Sequence, residues 1–204
     1  MIEGKRMEEF IWYPNIEIEN SSGIREVSLY THNLMQRRVF LLDEINTVSA
    51  NNILTQLLYL QSENDKPVNI LINSGGGQVG AGLMLYDIIT SMKVEVNMYC
   101  IGMAASMAAV LFAAGEKGHR FMLPHSKTMI HEPLMSGGVG GSATSINDIS
   151  KSIMDTKKLL NEILSKHTGK TAKEIDRITQ HDHYMNAIES IDFGICDEIC
   201  TELP

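Results

Sequence analysis

The chain has 204 residues, 44% of them apolar, and a formal net charge of −8. This length and apolar fraction suffice for a real core, and we expect a single domain over residues 1–204. The acidic balance argues against a nucleic-acid partner, because a nucleic-acid binder needs a basic face.

The three cysteines are Cys100, Cys196 and Cys200, a small and odd number that favours a reducing compartment. Cys100 lies inside an apolar stretch and is interpreted as a buried thiol rather than a nucleophile. The first residues lack the charged-then-apolar pattern of a signal peptide, and no apolar run is long enough to span a membrane. We therefore expect a cytoplasmic protein with no membrane contact.

Up to about residue 30 the chain is expected to be loop or surface strand. After that point, short apolar runs alternate with helical patterns. The predicted strands are 38–42, 68–72, 94–101, 119–123 and 127–130. The predicted helices are 48–60, 81–92, 104–114, a long helix ending before Gly169, and one beginning at Thr171. This alternation predicts an α/β fold with parallel strand pairing.

Two capping boxes are predicted near the end of the chain. Ser145 and Asp148 have the spacing expected at the start of the long helix, which follows a glycine-rich loop at 137–141. Thr171 and Glu174 have the same spacing at the start of the next helix.

Ser106 is the candidate nucleophile, because small residues surround it directly after a predicted strand and let a substrate backbone come close. In the first turn of a helix it would lie near free amides that stabilise an oxyanion. A serine hydroxyl needs a base, and His131, at the end of the strand 127–130, is the best-placed histidine. Read alone, each residue could equally have a structural role. His119, His125 and His167 are interpreted as surface residues.

A carboxylate would complete a triad by holding the imidazole tautomer. Asp182 is the candidate, but Asp176, Asp192 and Asp197 compete, and spacing alone does not choose among them. His181 and His183 beside Asp182 also resemble a metal cluster, although no further ligands stand at a suitable spacing.

A glycine turn follows the predicted strand 68–72, with the sequence Asn-Ser-Gly-Gly-Gly at 73–77. In a peptidase it would supply an oxyanion amide and hydrogen bonds to an extended substrate. Gly75, Gly77 and Gly80 also match a dinucleotide-binding pattern with Glu95 downstream, but Glu95 falls inside a predicted strand rather than at its end.

Several of these segments together resemble the proteolytic subunits of the Clp protease family over roughly residues 28–201. The matching segments are 72–77, 102–107, 120–133, 167–169 and 182–187. The resemblance implies a serine endopeptidase with Ser106, His131 and Asp182 as the triad, and oxyanion amides at Gly77 and Met107.

The resemblance also implies a crotonase-like α/β subunit with an N-terminal axial segment at 1–27 and a protruding strand-and-helix handle at 137–168. Such subunits form a barrel of two stacked heptameric rings with the active sites inside. AAA+ ATPases such as ClpX, ClpA or ClpC unfold polypeptides and thread them in. The subunit itself then needs no metal or other cofactor, since the partner uses the ATP. An acyl-CoA enzyme of the crotonase type is a competing reading of the same fold.

The sequence departs from the family pattern at several positions. Gly75 stands where the family usually has proline, Glu132 where it has glutamine after the catalytic histidine, and His181 where it has a ring-bridging arginine. Asn69 and Leu71 replace aromatic residues at the ATPase docking pocket. These departures predict that Glu132, if close, raises the pKa of His131. They also leave open a weakly active paralogue in a mixed barrel.

Overall fold

A computed structural model describes residues 14–20, 23–135, 137–138 and 140–204. These residues fall into two compact units divided between Arg37 and Arg38. The expected single domain over 1–204 stays a prediction, and residues 1–13, 21 and 22 of the expected axial segment lie outside the described part. Within the described residues, no helix is long and apolar enough to cross a membrane.

The first unit contains an antiparallel strand pair, β1 (Asn15–Asn20) and β2 (Gly23–Ser28), followed by helix α1 (Leu29–Met35). Ser28 caps α1, because its side chain accepts a hydrogen bond from the Thr31 amide. The expectation of surface strand before residue 30 is confirmed for residues 15–20 and 23–28.

The second unit contains one sheet with helices packed against it. Its strands are β3 (Arg38–Leu41), β4 (Val68–Ser74), β5 (Val96–Ala105), β6 (Arg120–Met122), β7 (Lys127–Ile130), β8 (His183–Asn186) and β9 (Glu198–Ile199). Its helices are α2 (Thr47–Glu63), α3 (Val79–Ser91), α4 (Met107–Ala113), α5 (Ala143–Thr168), α6 (Ala172–Ile178) and α7 (Ala187–Phe193). The predicted strands and helices are all present, with shifts of a few residues at their ends.

The sheet order β3-β4-β5-β6-β9 is parallel throughout, which confirms the predicted pairing. β5 is longer than predicted, and its edge opposite β4 pairs with two strands. Its first half pairs with β6, and its last three residues pair with β7. β7 in turn pairs antiparallel with β8, an arrangement that the alternation of strands and helices did not predict.

The core lies between the sheet and helices α2, α3 and α4. Every residue of α4 is buried, as its Ala-rich sequence predicts. The consecutive residues Ile70, Leu71 and Ile72 of β4 are all buried, which is typical of a parallel strand covered on both faces.

The N-cap of the long helix α5 lies three residues before the predicted one. Ser142, not Ser145, is the N-cap, and its hydroxyl accepts from the Ser145 amide. The helix ends at Gly169, whose φ of 78° terminates it in the left-handed region. The capping box of Thr171 and Glu174 is confirmed at α6. The expected strand of the handle is absent from the described residues between 137 and 142.

Candidate functional site

The carboxyl ends of β4, β5 and β7 lie side by side, because these three strands run parallel and β5 pairs with both others. Ser106 follows β5 directly and His131 follows β7 directly. Ala105 is paired with Met129, so the two side chains leave neighbouring strands within two residues of their last pairing. Ligand sites of open α/β sheets form at this edge.

His131 Nε2 lies 2.7 Å from Ser106 Oγ, a hydrogen-bonding distance. For the histidine to accept the serine proton, Nε2 must be the unprotonated nitrogen and Nδ1 must carry the hydrogen. The His131 side chain is only 14% exposed, so this contact is shielded from water. A nucleophile and its base in direct contact are the first requirement of serine-based acyl transfer.

The backbone at Ser106 is strained. Its φ of 55° and ψ of −124° are unusual for a residue with a side chain, and such conformations cost about 1–3 kcal/mol. The Ser106 amide donates to the Met129 carbonyl at 2.8 Å, which holds the strained residue against β7. Ser106 is therefore the N-cap residue before α4, not a residue of its first turn as the sequence suggested. This geometry turns the hydroxyl out of the strand direction.

Asp182 lies opposite His131 across the antiparallel pair of β7 and β8. Ile130 pairs with His183, so continuing the register by one residue brings Asp182 against His131. The distance from Asp182 Oδ1 to His131 Nδ1 is 3.6 Å, and the aspartate side chain is 56% exposed. This is an ion-pair distance but slightly long for a hydrogen bond.

The competing aspartates lie elsewhere. Asp176 Oδ1 accepts from Lys157 at 3.0 Å, and Asp197 pairs with Arg120. Among the described residues, no group of three or more metal-ligating side chains is assembled, including around His181 and His183. Asp182 is thus the carboxylate that the strand register brings to His131.

The glycine turn is held by several polar contacts that the sequence did not single out. Ser74 Oγ donates to the Asp43 carbonyl at 2.6 Å and accepts from the Gly76 amide at 3.1 Å. Asn73 Oδ1 accepts from the Met103 amide at 3.0 Å, which ties the turn to β5. These two side chains fix the turn against its neighbours on both sides.

Gly76 and Gly77 each need to be glycine. A Cβ on Gly76, which has φ +94°, would lie 2.7 Å from the Ser106 Cβ and 2.9 Å from the Met107 amide nitrogen. Gly77 has φ +148° and pairs with Ile45, where a Cβ would overlap the Ile45 backbone. Gly75 faces open space, so the missing proline there leaves the packing of the turn intact.

Gly77 and Met107 line the same cavity as Ser106 and His131. Within the described part of the chain, neither amide donates to another protein group. Free amides on two rigid segments beside a nucleophile are the donors that an oxyanion requires.

This cavity has a volume of about 390 Å³ and an apolar side next to Ser106. Its apolar lining comprises Val79, Met107, Val110, Met129, Leu134, Leu160 and Leu164. Asn161 and Glu44 add polar groups, and neither was predicted as a site residue. Asn161 lies on α5 and is 6% exposed. The available sequence signal was an asparagine on the apolar face of a predicted helix.

Glu132, the residue after His131, forms an ion pair. Its Oε2 lies 2.8 Å from Lys157 Nζ, so the negative charge of Glu132 is paired with a lysine of α5. The prediction that His167 is a surface residue is wrong. His167 bonds Tyr86 at 3.0 Å, and burial, with Lys166 and Arg120 nearby, lowers its pKa to about 4.

Cys100 is confirmed as a buried thiol, and Cys196 is buried as well. Burial raises the pKa of Cys100 to about 11 and that of Cys196 to about 12. A thiol that stays protonated at neutral pH is a poor nucleophile. At the expected docking pocket, Leu71 is buried and Asn69 accepts from Asn97 at 3.1 Å.

A parallel α/β sheet with a serine–histidine contact at its carboxyl edge, beside a glycine turn with free amides, defines the serine peptidase class of α/β proteins. A family model described as Clp protease matches residues 21–203. The chain therefore belongs to the Clp protease family, as the sequence resemblance predicted. It is a ClpP-type peptidase with a crotonase-like fold.

Proposed function

We propose that the chain is a serine endopeptidase subunit that hydrolyses unfolded polypeptides. The observation that carries the proposal is the 2.7 Å contact between Ser106 Oγ and His131 Nε2 at the edge where β5 and β7 end. Ser106 is the nucleophile, His131 the general base and Asp182 the carboxylate that orients the imidazole.

In the first step, His131 Nε2 takes the Ser106 proton while Oγ attacks the peptide carbonyl carbon. The carbonyl oxygen becomes an oxyanion and is stabilised by the Gly77 and Met107 amides. The imidazolium, stabilised by Asp182, then donates its proton to the leaving amine, and the peptide bond breaks. Water, deprotonated by His131, hydrolyses the resulting acyl-enzyme and restores Ser106.

The substrate side chain next to the scissile bond is proposed to enter the apolar side of the cavity. Burying an aliphatic side chain there would contribute about 1.5–3 kcal/mol of binding. The subunit uses no cofactor of its own. Its proposed assembly is two stacked heptameric rings, fed by an AAA+ unfoldase that consumes the ATP, as the family membership supports.

Covalent labelling with a fluorophosphonate probe tests the nucleophile. The wild-type chain, in its assembled form, is expected to label at Ser106 and to cleave peptides, and Ser106→Ala is expected to do neither. Particle size is measured for both proteins. Absence of labelling in an assembled wild-type particle, with a known serine hydrolase labelled in parallel, would refute the proposal.

A second candidate is a weakly active structural subunit of a mixed barrel. The 3.6 Å distance between His131 and Asp182 favours it, because a triad whose aspartate does not reach the imidazole is incompletely ordered. Co-expression with a conventional ClpP subunit and native mass spectrometry separates the two candidates. Mixed particles would support the second, and purely homomeric particles would count against it.

A further inference from the structure

The ammonium group of Lys157 on α5 contacts two other segments beside His131, namely the residue after it at the end of β7 and helix α6. Its Nζ lies 2.8 Å from Glu132 Oε2, directly after His131, and 3.0 Å from Asp176 Oδ1 on α6. The Lys157 side chain is 14% exposed, whereas the two carboxylates are 37% and 47% exposed. One shielded cation thus bridges the end of β7 and helix α6.

Two further hydrogen bonds strengthen this bridge. The Glu132 amide donates to the Thr179 carbonyl at 2.8 Å, at the C-terminal end of α6. Asn161 Nδ2, one turn after Lys157 on α5, donates to Asp176 Oδ1 at 3.1 Å. The segments joined in this way carry both histidine and carboxylate of the triad, since Glu132 follows His131 and Thr179 precedes Asp182 by three residues.

The charges of the cluster explain why the lysine matters. Glu132 and Asp176 are held close to each other by a shared partner, and without it two carboxylates would repel. The hydrogen bonds that Lys157 donates, first to Glu132 and then to Asp176, raise the pKa of Lys157, so the ammonium stays charged at neutral pH. Removing the cation is therefore expected to push β7 and α6 apart beside the site.

We propose that Lys157 is a positioning residue that sets the distance between His131 and Asp182 by clamping Glu132 and Asp176. This inference rests on the proposed peptidase function and adds a residue outside the triad to it. Lys157 touches neither substrate nor the reacting atoms. It acts through the two segments that hold the histidine and the aspartate.

A matched control is the next residue on the same helix. Lys158 is 77% exposed and lies 3.9 Å from Glu162, an ordinary surface pair worth little. Lys157→Met and Lys158→Met remove the same charge from adjacent positions. Lys157→Arg keeps the positive charge and can bond both carboxylates.

The experiment measures kcat and KM for peptide hydrolysis, together with particle size and thermal unfolding, for these variants in the assembled protein. A misplacement of the histidine–aspartate pair is expected to lower kcat of Lys157→Met by about tenfold to a hundredfold with KM nearly unchanged. Lys158→Met is expected to stay within about twofold of wild type, because exposed pairs contribute little. Lys157→Arg is expected to recover most of the lost kcat.

Unchanged kcat in Lys157→Met would overturn the inference, and so would a rise in KM alone, which would indicate a role in the substrate cavity. Equal loss in Lys157→Met and Lys157→Arg would also overturn it. The proposed function fails separately, if the wild-type protein neither labels at Ser106 nor cleaves peptides. An active wild type with an unaffected Lys157→Met rejects only the role of Lys157.

Discussion

Gly76→Ala is expected to impair the active site through a single methyl group. The added Cβ would lie 2.6 Å from the Ala105 carbonyl oxygen, 2.7 Å from the Ser106 Cβ and 2.9 Å from the Met107 amide nitrogen. Two of these three neighbours are backbone atoms, which have no freedom to rotate away. The methyl group therefore displaces either the glycine turn or the segment that carries the nucleophile.

The energetic cost has two parts that a control separates. Alanine at a φ of +94° costs about 1–2 kcal/mol in any surroundings. Overpacking a rigid site adds about 1–3 kcal/mol. Gly118 has the same φ of +94° but no atom within 4 Å of an added Cβ, so Gly118→Ala carries the first part alone. Gly76→Ala should be the less stable of the two by the second part.

The kinetic effect follows from the oxyanion donors, because the clash falls between the segments that carry the Gly77 and Met107 amides. Losing one donor costs about 10²–10³-fold in kcat. Denaturant unfolding and kcat for peptide hydrolysis are measured for Gly76→Ala, Gly118→Ala and the wild type. Equal stability of the two variants, or a Gly76→Ala enzyme with wild-type kcat, would refute this reasoning.

Three other predictions concern charge and pH. Asp197→Asn should lower the free energy of unfolding by about 3–5 kcal/mol, because Arg120 is 3% exposed and would lose its buried partner. Burial opposes ionisation of Asp197, but hydrogen bonds from Arg120 lower its pKa overall. The contribution of Asp197 to the free energy of unfolding is therefore present above about pH 4 and lost below it. Urea unfolding at pH 7 and pH 3 checks the effect of the substitution and that of pH. His167 has a pKa of about 4 when folded, so stability should fall as the pH drops from about 6.5 towards 4, and His167→Gln should flatten that slope in the same assay. If His181 replaces a ring-bridging arginine, assembly should change near neutral pH, and identical sedimentation velocity profiles at about pH 6 and 8 would contradict it.

Much of this site was accessible from the sequence because it follows strand ends. Ser106 and His131 each come directly after an apolar run, and parallel strands bring their carboxyl ends to one edge. The glycine turn was visible for the same reason. Placing a site at the carboxyl ends of parallel strands requires only the order of strands and helices, and local periodicity predicts that order.

Other features depended on contacts that a single sequence does not encode locally. Asp182 is selected by the antiparallel register of β7 and β8, which pairs residues about fifty positions apart. Lys157 gave no sequence signal, since a lysine on an amphipathic helix is usually solvated. His167 was misread because its polar neighbours hide that its ring turns inward to Tyr86. All three features depend on tertiary packing, which local composition does not show.

The three triad residues differ in how firmly the fold holds them. Ser106 is fixed by the hydrogen bond from its amide to the Met129 carbonyl and by the glycine turn against its Cβ, and His131 follows a strand paired on both sides. Asp182 lies in a short segment between α6 and β8 and is more than half exposed. The serine–histidine distance is consequently short, at 2.7 Å, whereas the histidine–aspartate distance is 3.6 Å. Influences that tune this peptidase should therefore act on the aspartate side, where α6 and the clamp formed by Lys157 of α5 determine how near Asp182 comes to the imidazole.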